Sequence, residues 1–290
     1  MYRATLFLIT SMLAAAAPAH DFSGERAMES TRKAVSYGVR PIGSPALRRL
    51  EAYITTSLKA DGCQVTVDSF TAQTPIGPVA MHNVICRFPG SSGKTIAITG
   101  HYDTKILPRF GGANDGGSST GFLLELARAL KGEPRKDDVL IVFFDGEEAV
   151  KEWTATDSVY GSRHLADRWQ ADGTLSRLKA LVNVDMIGDK GLELVYDMGS
   201  SAQLRALVWD AADALGYSQN FPRTPNSITD DHIPFLQHGV KALDLIDFDY
   251  GPNNSYWHTP QDTMDKLAPH SFEVVGRVVM ESIRRLEASQ

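Results

Sequence analysis

Short apolar runs alternate with amphipathic stretches along most of the chain. The apolar runs predict buried strands at 95–100, 138–144, 179–184 and 240–246. Apolar residues at helical spacing predict helices at 24–37, 46–60, 118–130, 200–215 and 272–286. A strand, a helix and a second strand in succession favour a right-handed parallel crossover. The pattern therefore predicts an α/β fold in a single domain, with a central mixed, mostly parallel sheet flanked by helices on both faces.

Two further strand-like segments, 63–70 and 81–88, flank a turn region that contains Pro75 and Gly77. The chain has two cysteines, Cys63 and Cys86, and each lies in one of these segments. An antiparallel pairing would bring them roughly opposite one another. A disulfide and a pair of independent buried thiols both agree with this pattern, so the sequence leaves the two alternatives open.

The first residues have the pattern of a signal peptide. Arg3 supplies a positive charge, residues 4–16 are apolar, and small residues at 17–19 offer a cleavage site. The apolar stretch is too short for a good membrane span. We therefore expect residues 1–19 to be a signal peptide, residues 20–290 to form one domain, and the mature protein to be secreted or periplasmic, with no membrane attachment after cleavage.

Composition narrows the possible partners. The chain has 290 residues, of which 43% are hydrophobic, which is ample for one core. The net charge of −6 comes without a basic stripe or a run of like charges. Nucleic-acid binding depends on neutralising phosphates with clustered lysine and arginine, so this chain is not expected to bind nucleic acid.

Acidic residues and histidines follow the ends of several predicted strands. These residues are His101, Asp103, Asp115, Glu147, Glu148 and Asp185, and His258 lies farther along the chain. Open α/β sheets place their ligand sites outside the carboxyl ends of the strands, so these side chains are expected to converge on one crevice. Any one of them alone is more simply explained as a solvated or capping side chain. Together, oxygen and imidazole donors without cysteine are typical of zinc in an open, catalytic site.

Glu147 and Glu148 are adjacent at a strand end, where neighbouring side chains diverge. One can bind a metal ion while the other faces the substrate as a general base and acid. Trp153 and Trp257 lie close to these residues in sequence and can form apolar walls of a pocket. Most tryptophans pack in the core, so contact with substrate is one of two alternatives for each.

With these residues in place, the chain resembles the zinc-dependent aminopeptidase-like superfamily. The matching segments are Gly-His-Tyr-Asp at 100–103, Gly-Ala-Asn-Asp-Gly-Gly-Ser at 112–118, Phe-Asp-Gly-Glu-Glu-Ala at 144–149, Asn-Val-Asp-Met-Ile-Gly at 183–188, Asp-His at 231–232 and His-Thr-Pro-Gln-Asp-Thr at 258–263. Segments 143–149, 157–166 and 230–235, with Trp153 and Trp257, resemble the animal-type glutaminyl cyclases (glutaminyl-peptide cyclotransferases) more than the peptidases.

The resemblance implies an activity and a set of roles. One zinc ion would be held by Asp115, Glu148 and His258. Glu147 would move a proton, and Asp185 and Asp230 would form a hydrogen-bonded carboxyl pair. Trp153, Trp257 and Thr229 would bind substrate, although Thr229 stands where the animal enzymes have glutamine. The substrates would be peptides or proteins with an N-terminal glutamine, which is converted to pyroglutamate with release of ammonia.

Two other functions use the same residue types. In a secreted two-zinc aminopeptidase, Asp115 would bridge both ions, His101 and Asp185 would bind the second ion, and Glu147 would activate water. A binding module on a degenerate peptidase fold would bind no zinc. Residue types do not exclude either function, and segment 153–166 together with Trp257 favours the cyclase.

Overall fold

The computed structural model describes residues 21–289, so the predicted signal peptide at residues 1–19 lies outside the described residues. The helices are α1 (Gly24–Val35), α2 (Pro45–Ala60), α3 (Gly117–Leu130), α4 (Tyr160–Ala171), α5 (Ala202–Ala214), α6 (Ile233–Gln237) and α7 (Pro269–Ala288). The strands are β1 (Gln64–Thr74), β2 (Gly77–Phe88), β3 (Thr95–His101), β4 (Asp138–Phe144), β5 (Leu178–Asp185), β6 (Tyr196–Asp197), β7 (Pro225–Asn226) and β8 (Ala242–Ile246).

Six strands form the central sheet in the order β1-β2-β4-β3-β5-β8. Strands β4, β3, β5 and β8 are parallel to their neighbours in this series. Strands β1 and β2 form an antiparallel hairpin, and β2 joins β4 in antiparallel register. The mixed, mostly parallel sheet expected from the sequence is confirmed. Strands β6 and β7 form a separate two-stranded sheet.

The two faces of the sheet are covered by different helices. Ile96 and Ile98 point to a core shared with α1, α2, α3, α5 and α7, while Ala97 between them points to a core shared with α4 and α6. This alternation follows from the two-residue period of a strand. Helices therefore lie on both faces, as the apolar strand runs predicted.

Most predicted element bounds agree with the structure within a few residues, and the differences are local. Helix α4 was not among the predicted elements; its first half falls in segment 157–166, which resembles the glutaminyl cyclases. The run Leu-Glu-Leu-Val-Tyr at 192–196 also has a strand-like pattern, but only Tyr196 lies in a strand, the two-residue β6. Among the described residues, no helix has the length and apolar character needed to cross a membrane.

The two cysteines form a disulfide, which is one of the two alternatives that the sequence left open. Cys63 and Cys86 are bonded, with their Cα atoms 5.6 Å apart. The bond ties the residue before β1 to its partner strand β2, and both side chains are buried. The two cysteines are 23 positions apart in the sequence, so the bond closes a loop of about that length.

We expect the double variant Cys63→Ala/Cys86→Ala to lose about 3 kcal/mol of unfolding free energy, because the unfolded chain regains the entropy of that loop. Urea unfolding of the variant and of the oxidised wild-type protein measures the difference. The matched control is titration of the denatured, unreduced wild-type protein with a thiol reagent. Two reactive thiols there would contradict the disulfide.

Candidate active site

The carboxyl ends of the parallel strands bring the predicted site residues together. His101 ends β3, Asp185 ends the neighbouring β5, and Glu147 and Glu148 follow the end of β4 on the other side. Asp115 lies two residues before α3. The convergence follows from the topology, since parallel neighbours end at the same edge of the sheet.

Small residues beside Asp115 allow the close approach of two backbone segments. Gly116 has φ of +74°, and a Cβ atom there would lie 2.3 Å from the carbonyl oxygen of Asp103 and 3.1 Å from the ring of His101. A larger residue would push these segments apart. The glycine that follows Asp115 in the sequence Asn-Asp-Gly-Gly at 114–117 therefore allows the close packing of the site.

Asp115, Glu148 and His258 form one group with the geometry of a metal site. The Nε2 atom of His258 lies 3.3 Å from Oδ2 of Asp115 and 3.2 Å from Oε1 of Glu148. Ligand atoms about 2.0 Å from a tetrahedral zinc ion are roughly 3.3 Å from each other. Oε1 of Glu148 is buried and accepts no hydrogen bond within the described chain. The spacing and the donor types therefore fit zinc.

The electrostatics of this group also favour a cation. Burial, together with the charge of Glu148, raises the pKa of Asp115 to about 7. Burial lowers the pKa of His258, but its close contacts with the carboxylates of Asp115 and Glu148 outweigh that effect and raise it to about 9. Burial opposes ionisation of Glu148, yet contact with His258 keeps its pKa below the usual value. Two buried carboxylates share one positive partner, and a divalent ion would neutralise both.

His101, Asp115 and Asp185 form a second group of potential ligands. Nε2 of His101 lies 3.0 Å from Oδ1 of Asp185 and 3.4 Å from Oδ1 of Asp115. All three side chains are buried. Because Asp115 is common to both groups, the site contains the donor sets of a one-ion and of a two-ion centre.

Glu147 is held beside the two groups by its backbone. Its N–H donates to Oδ1 of Asp103 over 3.1 Å, and its carbonyl oxygen accepts from the N–H of Val159 over 2.7 Å. Its carboxylate lies 3.8 Å from Nδ1 of His101. Burial raises the pKa of Glu147 well above the usual range, while the charge of His101 opposes the shift. These two hydrogen bonds, to Asp103 and to Val159 just before α4, hold the backbone of Glu147 in place.

A cavity of about 440 Å³ opens over these residues. It is lined by Lys105, Asp115, Glu147, Glu148, Lys151, Trp153, Asp185, Ser227, Ile228, Thr229, Asp230, Ile246, Phe248, Trp257 and His258. Trp257 stacks on the ring of His258 at 4.0 Å between centroids. Trp153 is 41% exposed and Thr229 is also exposed, so both lie where the cavity meets solvent. The three predicted substrate-binding residues therefore line the same cavity as the metal group.

Asp185 and Asp230 both line the cavity and are both buried. The hydrogen bond between them that the resemblance implies is not among those of residues 21–289. Asp185 contacts His101, and Oδ1 of Asp230 accepts from the backbone N–H of Asp231. Burial and the nearby charge of Asp185 raise the pKa of Asp230 to about 6.

Lys105, Phe248 and Asp262 contribute to the site but were not singled out from the sequence. Nζ of Lys105 lies 3.1 Å from Oε2 of Glu148. Phe248 packs against Trp257 with ring centroids 5.0 Å apart. Lys105 and Phe248 follow the ends of β3 and β8 by a few residues. The rule that ligand sites lie outside the carboxyl ends of strands could therefore have located them as well as the acids. Asp262 lies deeper, and its contacts depend on the tertiary structure.

The fold and site define a metal-dependent enzyme of the aminopeptidase-like α/β class. The family model "Peptidase family M28" matches residues 83–283. A glutaminyl-peptide cyclotransferase from Drosophila melanogaster is 34% identical over 77% of this chain and 70% of that protein. The chain belongs to peptidase family M28 and, within it, to the glutaminyl-peptide cyclotransferases.

Two solved structures illustrate the range of similar folds. The glutaminyl cyclase from an Acidobacteriales bacterium superposes with a TM-score of 0.90 and 39% identity, covering 96% of this chain and 99% of that one. A Zn-dependent exopeptidase from Parabacteroides distasonis ATCC 8503 gives a TM-score of 0.82 and 26% identity, covering 91% of this chain and 99% of that one. The same architecture therefore occurs in a solved glutaminyl cyclase and in a solved exopeptidase.

Proposed function

We propose that this protein is a zinc-dependent glutaminyl-peptide cyclotransferase that converts an N-terminal glutamine of peptides or proteins to pyroglutamate and releases ammonia. One observation carries the proposal. The ligand group Asp115–Glu148–His258, the buried Glu147 and the tryptophans 153 and 257 share one cavity. The similarity to cyclotransferases over most of the chain supports the same conclusion.

The chain's own residues supply the proton transfers and the orientation. When bound, zinc supplies a Lewis acid that polarises the γ-carbonyl group of the substrate glutamine. The substrate's α-amine attacks the γ-carbonyl carbon, which forms the ring C–N bond and breaks the bond to the side-chain amide nitrogen. Glu147 accepts a proton from the amine and returns it to the departing nitrogen, which leaves as ammonia. Asp185 and Asp230 line the same cavity, where their carboxyl groups can accept hydrogen bonds from the neutral amine and orient it for the attack.

Ring closure is intramolecular, so the protein chiefly needs to hold the glutamine in a reactive conformation. Trp257 and Phe248 form a packed aromatic wall at the cavity. Apolar walls of this kind exclude water and enclose a small side chain. The exposed face of Trp153 leaves room at the mouth for the rest of the peptide.

We expect Trp257→Ala to raise KM for a glutamine-initiated peptide by up to about tenfold, because an aromatic contact contributes about 0.5–1.5 kcal/mol. The value of kcat should change less, since Glu147 and the ligand group remain. Steady-state kinetics measure both, with zinc content determined alongside. Trp257→Phe is the matched control, because it keeps an aromatic face at this wall. An unchanged KM with a lower kcat would contradict a substrate-binding role.

We also propose that the mature protein lies in the periplasm or outside the cell. A signal peptide at residues 1–19 would direct the protein to the periplasm or outside the cell. The Cys63–Cys86 disulfide supports this location, because disulfides persist in oxidising compartments. Expression of the full chain in a secreting host, followed by N-terminal sequencing of the mature protein, tests the cleavage after Ala19.

A two-zinc aminopeptidase is the second candidate function. The group His101–Asp115–Asp185 supports it, because it provides donors for a second ion next to the first. Glu147 would then activate water for hydrolysis of the first peptide bond. The two candidates share ligands and differ in the products.

A product assay by mass spectrometry tests the proposed function. The zinc-loaded protein is incubated with one peptide that begins with glutamine and with a matched peptide that begins with leucine. Cyclisation predicts loss of one ammonia from the first peptide, faster than in a sample without enzyme, and no change in the second. Stepwise removal of the first residue from either peptide would make the protein an aminopeptidase and overturn the proposal.

A further inference from the structure

Asp262 lies in the segment His-Thr-Pro-Gln-Asp-Thr, four residues after the metal-site histidine, and is not itself in either ligand group. Its side chain is fully buried. Oδ1 accepts from the backbone N–H of Asn114 over 2.8 Å, and Oδ2 accepts from the backbone N–H of Asp115 over 3.2 Å. Oδ1 also accepts from the hydroxyl group of Tyr250 over 2.8 Å. Both carboxylate oxygens are therefore engaged, and both contact the segment that carries the ligand Asp115.

Asp262 also belongs to the turn that carries His258. Its own backbone N–H donates to the carbonyl oxygen of Thr259 over 3.1 Å. His258 has φ of +53°, in the left-handed region. This conformation costs a non-glycine residue on the order of 1 kcal/mol or more, so it persists only where the surrounding contacts impose it. The turn that follows His258 is anchored at Asp262.

The segment that receives these bonds is rigidly held on its other sides. The guanidinium group of Arg40, also buried, donates to the carbonyl oxygens of Gly111 and Gly112 over 2.9 Å each. The side chain of Asn114 accepts from the N–H of Gly188 over 2.8 Å, which links it to the loop after β5. Asp262 thus connects the turn bearing His258 to a segment that the rest of the fold already fixes.

We propose that Asp262 is a positioning residue that sets the distance between Asp115 and His258, so that both ligands reach one zinc ion. The inference rests on the zinc site of the proposed function. Partners of this kind, which orient ligands without touching the metal, typically change metal affinity by about 10–100-fold when they are replaced.

Asp262→Asn is the informative variant. Its side chain has almost the same shape, but an amide NH2 group replaces one of the two accepting oxygens. That group cannot accept from a backbone N–H, so the N–H of Asn114 or of Asp115 loses its partner. We expect the zinc dissociation constant to rise about 10–100-fold while the far-ultraviolet circular dichroism stays unchanged.

Two further variants separate positioning from general loss of stability. Tyr250→Phe removes one of the three hydrogen bonds that orient the carboxylate and keeps both backbone contacts, so a smaller, several-fold rise is expected. Asp138→Asn is the matched control far from the site. Its buried carboxylate accepts from the N–H of Gly90 over 2.7 Å and from Nε of Arg87 over 2.8 Å. This control should lose stability with no change in zinc affinity.

The experiment is competition for Zn²⁺ between metal-stripped protein and a fluorescent chelator, below the unfolding temperature of every variant. Weaker binding in Asp262→Asn and Tyr250→Phe, with wild-type affinity in Asp138→Asn, supports the inference. Wild-type affinity in Asp262→Asn overturns it and leaves the proposed function intact. If Asp262→Asn does not fold, an unchanged affinity in Tyr250→Phe overturns it. A wild-type protein that binds no Zn²⁺ overturns the proposed zinc site itself.

Discussion

Glu147→Gln is expected to lower kcat for pyroglutamate formation by about 100-fold to 10,000-fold, the usual contribution of a positioned general base and acid. Glutamine has nearly the same shape as glutamate, and the backbone hydrogen bonds of residue 147 do not depend on the side chain. The amide group cannot, however, accept a proton and return it. Glu147 belongs to neither ligand group, so the variant should retain zinc. Single-turnover kinetics with a glutamine-initiated peptide, combined with metal analysis of the same sample, measures both effects.

Glu152→Gln is the matched control for this prediction. Glu152 is exposed and lies outside the cavity, five residues after Glu147. The same chemical change there should leave kcat near the wild-type value. Full activity in Glu147→Gln would overturn its role as proton carrier, and a loss of zinc in that variant would mean that Glu147 supports the metal instead.

His258→Ala is expected to abolish zinc binding and, with it, activity. The variant removes the only nitrogen donor of the group Asp115–Glu148–His258 and leaves two carboxylates facing each other. Loss of a direct ligand should weaken affinity by more than the roughly 10–100-fold that outer partners contribute. Metal analysis by mass spectrometry after gel filtration, together with the cyclisation assay, measures the outcome.

Two histidine variants sharpen this test. His238→Ala is the control, because His238 is partly exposed and pairs with Asp167 away from the cavity. It should keep zinc and activity. His101 belongs only to the second group, so a one-zinc cyclase should hold about one ion per chain in both the wild-type protein and His101→Ala. Two ions in the wild-type protein and one in His101→Ala would favour the two-zinc peptidase.

The sequence was most informative where local pattern and topology act together. The apolar run 95–100, which forms most of β3, is buried on both faces of the sheet, as expected of a parallel strand covered by helices on both sides. Once the parallel strands are placed, the acids that follow them must meet at one edge of the sheet. The convergence of Glu148 and Asp185 could therefore be predicted without coordinates.

Other features depend on contacts that no local pattern records. Helix α4 was not predicted, and it packs against the sheet side of the molecule through the contact of Trp169 with Phe235, which is distant in sequence. The disulfide was one of two open alternatives, since the spacing of two cysteines allows a bond without requiring it. The contact of Asp185 with His101 depends on how the ends of the neighbouring strands β3 and β5 are aligned.

By itself, the sequence determined the α/β class, the parallel strands and the resemblance to glutaminyl cyclases, and it supplied the candidate ligands, because each depends on residue types at short spacing. Only the tertiary structure showed how close the candidate ligands lie to one another, how Trp153 and Trp257 line the cavity, and that Asp262 bonds to the backbone of Asp115, 147 positions earlier in the chain. The physical reason is that hydrogen bonds and packing between distant segments depend on distances of a few tenths of an ångström, which chain folding sets and local pattern does not.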